Sequence, residues 1–257
     1  MNYKLKKISG DASFREFYRV QKNSKSSIIV LANKEKFKNL ITYAAVNQIL
    51  KKNHILVPTL IKSFINKNII EISDLGKVSF LDYIKKKKNI LSSYKKAIDL
   101  IIKIQKIKLK KKYKFKNKDV KFEKYTIKNL HKESDLFFNW YLKPLIKKNK
   151  FKTIKSKIRK ELNQLYNQLY FKNIFFTHRD FHAANIMMTK NQLSLIDSQD
   201  AIIGNPLYDV MSLIDDVRIK IPNNYKEILF NYYYKKSKIK KERKTNLKND
   251  YDILSIQ

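Results

Sequence analysis

The chain has 257 residues, 43% of them hydrophobic and 12% aromatic, which is enough for one large domain or two lobes and too much for charge-driven disorder. Lys and Arg number 57 against 22 Asp and Glu, a formal charge of +35 at pH 7, and there is no cysteine, so disulfides, thiolate catalysis and Cys-ligated zinc are excluded. No run approaches the roughly 20 apolar residues of a membrane-spanning helix, and MNYKLKKISGDASF lacks the apolar core of a secretory signal, so a cytoplasmic protein without a membrane partner is expected.

The N-terminal third reads as strands with one helix inserted. YKLKKIS (3 to 9), FREFYRVQ (14 to 21) and SSIIVLA (26 to 32) are short apolar or alternating runs, the first two flanking the turn-like Gly10, Asp11 and Ala12. Phe37, Leu40, Ile41, Ala44, Ala45 and Ile49 then recur at helical spacing up to about Asn53. LIKSFI and IIEIS form a hairpin around Asn66 to Asn68. After Asp74, Leu75 and Gly76 the pattern turns helical, which places a boundary between lobes there. Ser92 or Ser93 could cap a helix with the stripe Ala97, Leu100, Ile101, Ile104, Ile107. Residues 108 to 124 read as a lysine-dense solvated connection, with membrane or RNA contact as the other reading. Helices follow on Leu136, Phe137, Trp140 and Tyr141, and on Ile154, Ile158, Leu162, Leu165 and Leu169. IFF, IMM and LSLI between 174 and 195 read as short strands. Val210 to Val217 and Tyr225 to Tyr232 mark two more helices before a polar tail, KKSKIKKERKTNLKND.

A field this positive invites nucleic acid. Yet 51 of the basic residues are Lys and 6 are Arg, whereas bidentate base and phosphate contacts favour Arg. Lys, Asn, Ile, Tyr and Phe are abundant together, a bias that AT-rich codons generate, so nucleic acid is not the expected partner. One segment departs from the trend. Residues 171 to 218 hold four basic residues (Lys172, Arg179, Lys190, Arg218) and six acidic ones (Asp180, Asp197, Asp200, Asp209, Asp215, Asp216). Carboxylates retained in a lysine-saturated chain suit a divalent cation, since Mg²⁺ prefers hard oxygen ligands.

Within that segment His178, Arg179 and Asp180 through Asn185 read HRDFHAAN, with Asp197 twelve residues further on. The spacing is that of phosphoryl transfer in kinases. Asp180 would accept the proton of a substrate hydroxyl, while Asn185 and Asp197 would hold Mg²⁺ against phosphates. Singly, Asp180 and Asn185 are also ordinary turn formers and Asp197 a helix cap. His178 reads as a brace for the loop through hydrogen bonds, and His182 as loop packing or a substrate contact. Asp209 either caps the helix that follows Gly204, Asn205 and Pro206 or reaches the backbone amides of the 178 to 185 loop.

With these residues on the page, the sequence resembles the aminoglycoside-phosphotransferase-like superfamily, and within it the bacterial kinases that phosphorylate N-acetylmuramic acid and N-acetylglucosamine on the anomeric hydroxyl. SGDASFREFYRV, ISDLG at 72 to 76, HRDFHAANIM and IDSQDAIIGNPLYDVMSLIDDVR carry the resemblance. It implies an α+β, bilobal, protein-kinase-like fold: an antiparallel five-stranded N-lobe with one helix over 1 to 76, a hinge near 72 to 77, and a mainly helical C-lobe over 77 to 257 with a catalytic loop at 178 to 185 and a metal segment at 195 to 200. It further implies ATP as co-substrate, Mg²⁺ as cofactor, a role in cell-wall sugar recycling that feeds a uridylyltransferase, and a monomer. Aminoglycosides or choline are alternative acceptors, and a polyanion-binding pseudokinase is the alternative of another class.

By the same resemblance Ser9, Gly10, Asp11, Ala12 and Ser13 would form the nucleotide loop, and the backbone of Asp74, Leu75 and Gly76 would meet adenine. Arg179, His182, Gln199 and Asp200 are candidate substrate contacts. The sequence departs from the pattern in three places. The third strand lacks the lysine that grips the α and β phosphates, leaving Lys34, Lys36, Arg15 or no residue in its place, and the helix at 37 to 50 has no glutamate to pair with such a lysine. Ser198 stands where the family has an aromatic, so looser packing is expected beneath Asp197. The chain stops at YDILSIQ, where an apolar helix is beginning, so the C-terminus is expected to be shortened.

Overall fold

The computed structural model describes residues 4–8, 15–22, 25–32, 38–64, 67–110, 112–115, 118–171, 173–237, 239 and 243–256. The loop from Ser9 to Ser13, together with Lys34 and Lys36, lies outside them.

Strands β1 (Lys4–Ile8), β2 (Glu16–Lys22) and β3 (Lys25–Leu31) form a meander, α1 (Lys38–Lys52) follows, and β4 (Leu60–Phe64) with β5 (Ile69–Ser73) completes the sheet. Its order is β1-β2-β3-β5-β4, with every neighbouring pair antiparallel. Val30 stands opposite Ile70 and Ile28 opposite Ile72. Strand side chains alternate between faces, so these four share one face, and they are buried with Ala32, Leu40 and Tyr43. Helix α1 serves two cores. Leu40 and Tyr43 close the sheet core, whereas Ile41, Ala45, Val46, Ile49 and Leu50 enter the larger core of the helical lobe.

The helical lobe begins with α2 (Phe80–Lys85), capped by Ser79, whose side chain accepts the Asp82 N–H. Helix α3 (Leu91–Gln105) runs through its centre with Ala97, Ile98, Ile101 and Ile104 fully buried. Next come the hairpin β6 (Lys112–Phe115) and β7 (Lys118–Lys121), then α4 (Ile127–Leu136), a π-helical turn at Phe137–Leu142, α5 (Lys143–Leu145) and α6 (Lys148–Asn167). Strands β8 (Phe175–Thr177), β9 (Ile186–Thr189), β10 (Gln192–Leu195) and β11 (Ile202–Gly204) form two small antiparallel pairs, β8 with β11 and β9 with β10. Helices α7 (Tyr208–Ile214), α8 (Asn223–Lys236) and α9 (Lys244–Ser255) close the lobe. The β9–β10 hairpin is stitched to the sheet lobe's trailing segments: Met188 N–H donates to Val78 O and Leu195 N–H to Leu56 O, each at 2.9 Å.

Four local expectations are corrected. Residues 108 to 124 are not a solvated connection throughout: in KYKF the lysines face out, Tyr113 meets Phe122 edge-on at 5.5 Å, and Val120 and Phe122 are buried. Ser92 and Ser93 lie inside α3, and the Leu91 N–H is taken by Asn89 Oδ1 at 2.9 Å. The π-turn shifts the helical register, so Phe138 is buried while Leu136, Trp140 and Tyr141 are exposed. The supposed polar tail is helical from Lys244 and buries Leu247 and Asp250, running on into the apolar helix expected at YDILSIQ, where Tyr251, Ile253 and Leu254 are buried. Among the described residues no helix is long and apolar enough to cross a membrane.

Candidate active site

Where β8 ends at Thr177, the chain turns out of its pairing with β11 through His178, Arg179 and Asp180. A Cβ at Gly204, on β11, would lie 2.6 Å from the buried Thr177 Oγ1, so this close approach requires glycine. Arg179 adopts a left-handed φ of 72°, a conformation that costs about 1–2 kcal/mol for a residue with a side chain. Three anchors hold the turn against that cost. Asp209 accepts the N–H groups of His178 at 2.7 Å and Arg179 at 2.9 Å. Asp216 Oδ2 accepts the N–H of Ala183 at 3.0 Å. The Arg179 guanidinium pairs with Glu133, Nε to Oε1 at 3.1 Å, and lies 5.5 Å over the Tyr125 ring, while the Tyr125 and Tyr208 hydroxyls also donate to Glu133.

Burial pushes the Asp209 carboxyl up to about 7, against the downward pull of its two backbone donors. Burial also pushes His178 down to about 4, so its ring is neutral at pH 7. Neither ring nitrogen makes a well-formed hydrogen bond to a described residue; the backbone N–H carries the contact, and the ring packs edge-on against Phe181 at 5.9 Å.

Asp180 opens onto the cleft between the lobes. Its Oδ2 accepts Asn185 Nδ2 at 2.7 Å and its Oδ1 meets His182 Nε2 at 3.0 Å; Asn185 Nδ2 also reaches the Asp180 carbonyl at 3.1 Å. Burial would raise the carboxyl, but the hydrogen bonds from His182 and Asn185 hold it below the ordinary carboxylate value. Asn185 precedes β9 and Asp197 follows β10, so the hairpin delivers both to one end, where Ile196 N–H closes on Asn185 O at 3.0 Å. Asp197 is left-handed, φ 63°. Its pKa is raised by burial, with Asp180 and Asp200 adding to the rise and Arg15 and Gln199 opposing it. Arg15, only 8% exposed, places NH1 3.5 Å from Asp197 Oδ1. The cleft has a volume of about 470 Å³, and Arg15, Asp74, Asp180, Asn185 and Asp197 all line it.

At the connection between lobes the Asp74 side chain turns back on its own chain. It takes Arg19 Nε at 2.5 Å and NH2 at 3.1 Å, Ser26 Oγ at 2.9 Å and Gly76 N–H at 2.9 Å. Burial opposes ionisation, yet these donors hold its pKa below the usual value. Arg19 NH2 also donates to Gly76 O at 2.7 Å, and Thr189 Oγ1 to Leu75 O at 2.8 Å. Gly76 has φ +107°, which only glycine adopts without strain.

His182 lines the cleft beside Asp180, whereas Arg179, Gln199 and Asp200 do not. Gln199 Nε2 donates to Asp200 Oδ2 at 3.2 Å. Packing beneath Asp197 is not loosened: Ser198 is fully buried and donates to Asn47 Oδ1 of α1 at 2.6 Å, and Asn47 Nδ2 donates to Pro58 O at 3.1 Å. Sequence reasoning missed Glu133, which no spacing ties to the loop. It also missed the anchoring role of Asp216, which lies just past the end of α7 and reaches the loop only through the tertiary fold.

The donor set suits Mg²⁺. Asn185 turns Nδ2 to Asp180, which leaves Oδ1 as its other donor, and Asp197 lies among carboxylates whose mutual charge a cation would relieve. Among the described residues no cluster of three or more His, Cys, Asp and Glu side chains forms a metal site; two protein oxygens match an ion that takes its remaining ligands from phosphates and water.

A family model described as a phosphotransferase enzyme family matches residues 4–242. An N-acetylmuramate/N-acetylglucosamine kinase of Pseudomonas putida is 25% identical over 218 residues, which are 85% of this chain and 61% of the relative. One of the same name from Neisseria meningitidis is 23% identical over 241 residues, 92% and 69% of the two chains. The chain thus spans roughly three fifths to two thirds of these relatives' length. Among solved structures, the ADP-bound aminoglycoside phosphotransferase APH(2'')-Ib aligns with TM-score 0.65 at 14% identity, covering 99% of this chain and 93% of that one. The choline kinase LicA of Streptococcus pneumoniae aligns with TM-score 0.65 at 13% identity, covering 98% and 82%. These alignments span both lobes.

Proposed function

Because the chain belongs to the phosphotransferase enzyme family, we propose that it transfers the γ-phosphate of ATP to the anomeric hydroxyl of an N-acetylated amino sugar, N-acetylmuramate or N-acetylglucosamine. What carries this reading is the meeting of Asp180, Asn185, Asp197 and the buried Arg15 on one cleft. The names of the curated relatives supply the acceptor class.

In this reading the acceptor hydroxyl donates to Asp180, whose depressed pKa keeps it ionised at neutral pH. As the sugar oxygen bonds to the γ-phosphorus, its proton passes to the Asp180 carboxylate, and the bond from that phosphorus to the β–γ bridging oxygen breaks, releasing ADP. Asp209 and Asp216 keep the base in place through the loop amides. Arg15 supplies the cation that grips phosphate oxygens, in place of a strand lysine. Asn185 and Asp197 would hold Mg²⁺, which when bound neutralises charge on the phosphates. The backbone at 74 to 76 meets adenine. The enzyme works in the cytoplasm as a monomer, and its sugar phosphate feeds a uridylyltransferase.

The test is to incubate the full chain with ATP, Mg²⁺ and a panel of N-acetylmuramate, N-acetylglucosamine, an aminoglycoside and choline, following products by phosphorus NMR. An acetylated sugar 1-phosphate is expected, and Asp180→Asn should lower turnover by about 10² to 10⁴-fold while nucleotide titration shows ATP still bound. Phosphorylation of choline or the aminoglycoside alone, or full turnover by the variant, overturns the assignment.

A further inference from the structure

Among the described residues, four basic side chains line the cleft: Arg15, Arg19, Lys77 and Arg218. The first two belong to the sheet lobe and engage Asp197 and Asp74, and Lys77 follows the connection between lobes. Arg218 alone among them comes from beyond α7. Its NH1 donates to Asp216 Oδ1 at 3.1 Å, and its own N–H donates to the same oxygen at 3.0 Å. The other oxygen of Asp216 takes the Ala183 N–H, three residues past Asp180. One fully buried carboxylate therefore ties the Arg218 guanidinium to the loop that carries the base. The Arg218 side chain remains 39% exposed, and its bond to Asp216 engages NH1 from one side of the planar fork. Further donors of that fork are left for a second anion.

We propose that Arg218 reads the carboxylate of the acceptor and so sets the preference for an acidic amino sugar over a neutral one. This rests on the kinase reading above, whose two acceptors differ in this respect: N-acetylmuramate bears a lactyl carboxylate and N-acetylglucosamine has a hydroxyl in its place. A guanidinium suits a carboxylate because its paired N–H groups match both oxygens. Asp216 preorganises it, so less side-chain freedom is lost on binding. In the kinase reading Arg15 meets the nucleotide's phosphates, which leaves Arg218, lining the same cleft and tied through Asp216 to the loop of Asp180, for the acceptor whose hydroxyl must reach the base.

The experiment uses the full chain, Arg218→Gln and Arg218→Lys, with N-acetylmuramate, its lactyl methyl ester and N-acetylglucosamine. Both calorimetric binding and kcat/KM are measured. The ratio of kcat/KM for N-acetylmuramate over N-acetylglucosamine should fall roughly 10- to 100-fold in Arg218→Gln, the range of a charge-assisted hydrogen bond, with partial recovery in Arg218→Lys. Esterifying the acid should cost the wild type a similar factor and cost Arg218→Gln little more, because both changes delete the same contact. An unchanged ratio, or ester and substitution effects that simply multiply, overturns the proposal; a structural role through Asp216 would weaken all three sugars together. If the wild type phosphorylates neither sugar, the kinase reading fails, and the binding arm still decides whether Arg218 discriminates acid from ester.

Discussion

Arg15 and Asp197 are 182 residues apart in the chain and 3.5 Å apart in space, the distance of a charge pair whose geometry is completed by a third group. Arg15→Ala should raise KM for ATP about 10- to 100-fold, the loss of a charge-assisted hydrogen bond, with a smaller effect on the KM for sugar; equal effects on both would place Arg15 elsewhere in the reaction. Behind the catalytic loop two buried groups titrate in opposite senses. His178, pushed down to about 4, lends stability that is present above pH 6.5 and lost as pH falls toward 4, because the unfolded chain takes up the proton first. Asp209, pushed up to about 7, lends stability that is present below pH 4 and lost as pH rises through 7, because the unfolded chain ionises first. The two slopes offset each other. Asp209→Asn removes one of them, so its destabilisation should be larger at pH 5 than at pH 7, by roughly 2 kcal/mol at the limiting slope of one proton, measured by urea unfolding. A penalty that grows with pH would refute burial as the cause. At this scale the sequence makes the loop legible, because Asp180 and Asn185 lie within six residues of each other and a short hairpin must return Asp197 to them. Arg15 is legible only as one of several candidate cations, and Glu133 and the buried Asn47–Ser198 bond are illegible, since each depends on how distant elements pack.

Among the elements, α9 has the most to hold. Asp250, fully buried, accepts the N–H groups of Tyr170 at 2.7 Å and Phe171 at 3.0 Å and the Asn205 side chain at 2.7 Å, and Asn205 in turn takes the Leu207 N–H at the start of α7. The helix therefore reaches the Asp209 anchor through one turn of chain. Asp250→Ala would strand three donors and should cost on the order of 3 kcal/mol. The check is a lower urea midpoint at unchanged slope; a shift under one tenth of that energy would mean the contacts are idle. The five-stranded sheet and α1 are legible because their apolar residues repeat at clean periods of two and near four. The β6–β7 hairpin is not, since four-residue strands rich in lysine carry too few apolar positions to fix a period. Only the second half of α9, at YDILS, is legible; the lysines of its first turns hide Leu247 from any stripe, and the π-turn after α4 breaks helical register where the sequence gives no sign of it.

At the scale of the whole molecule, +35 is an average over a lysine-rich chain and one acidic segment, 171 to 218, two of whose carboxylates, Asp180 and Asp197, line the cleft. A polyanion binder and a kinase separate cleanly on this point. Turnover should vanish with a chelator, return with Mg²⁺ and change little between 50 and 200 mM salt, whereas binding governed by the surface charge would drop by orders of magnitude over that range. Turnover that is indifferent to chelation would exclude the metal role given to Asn185 and Asp197. Helix α1, meanwhile, belongs to both hydrophobic cores and is tied by Asn47 to Ser198 beside the cleft floor. Swinging the lobes apart about residues 74 to 76 would tear one side of that helix from its packing. Any opening of the cleft must therefore leave α1 seated in both cores, a hinge pin held by both leaves.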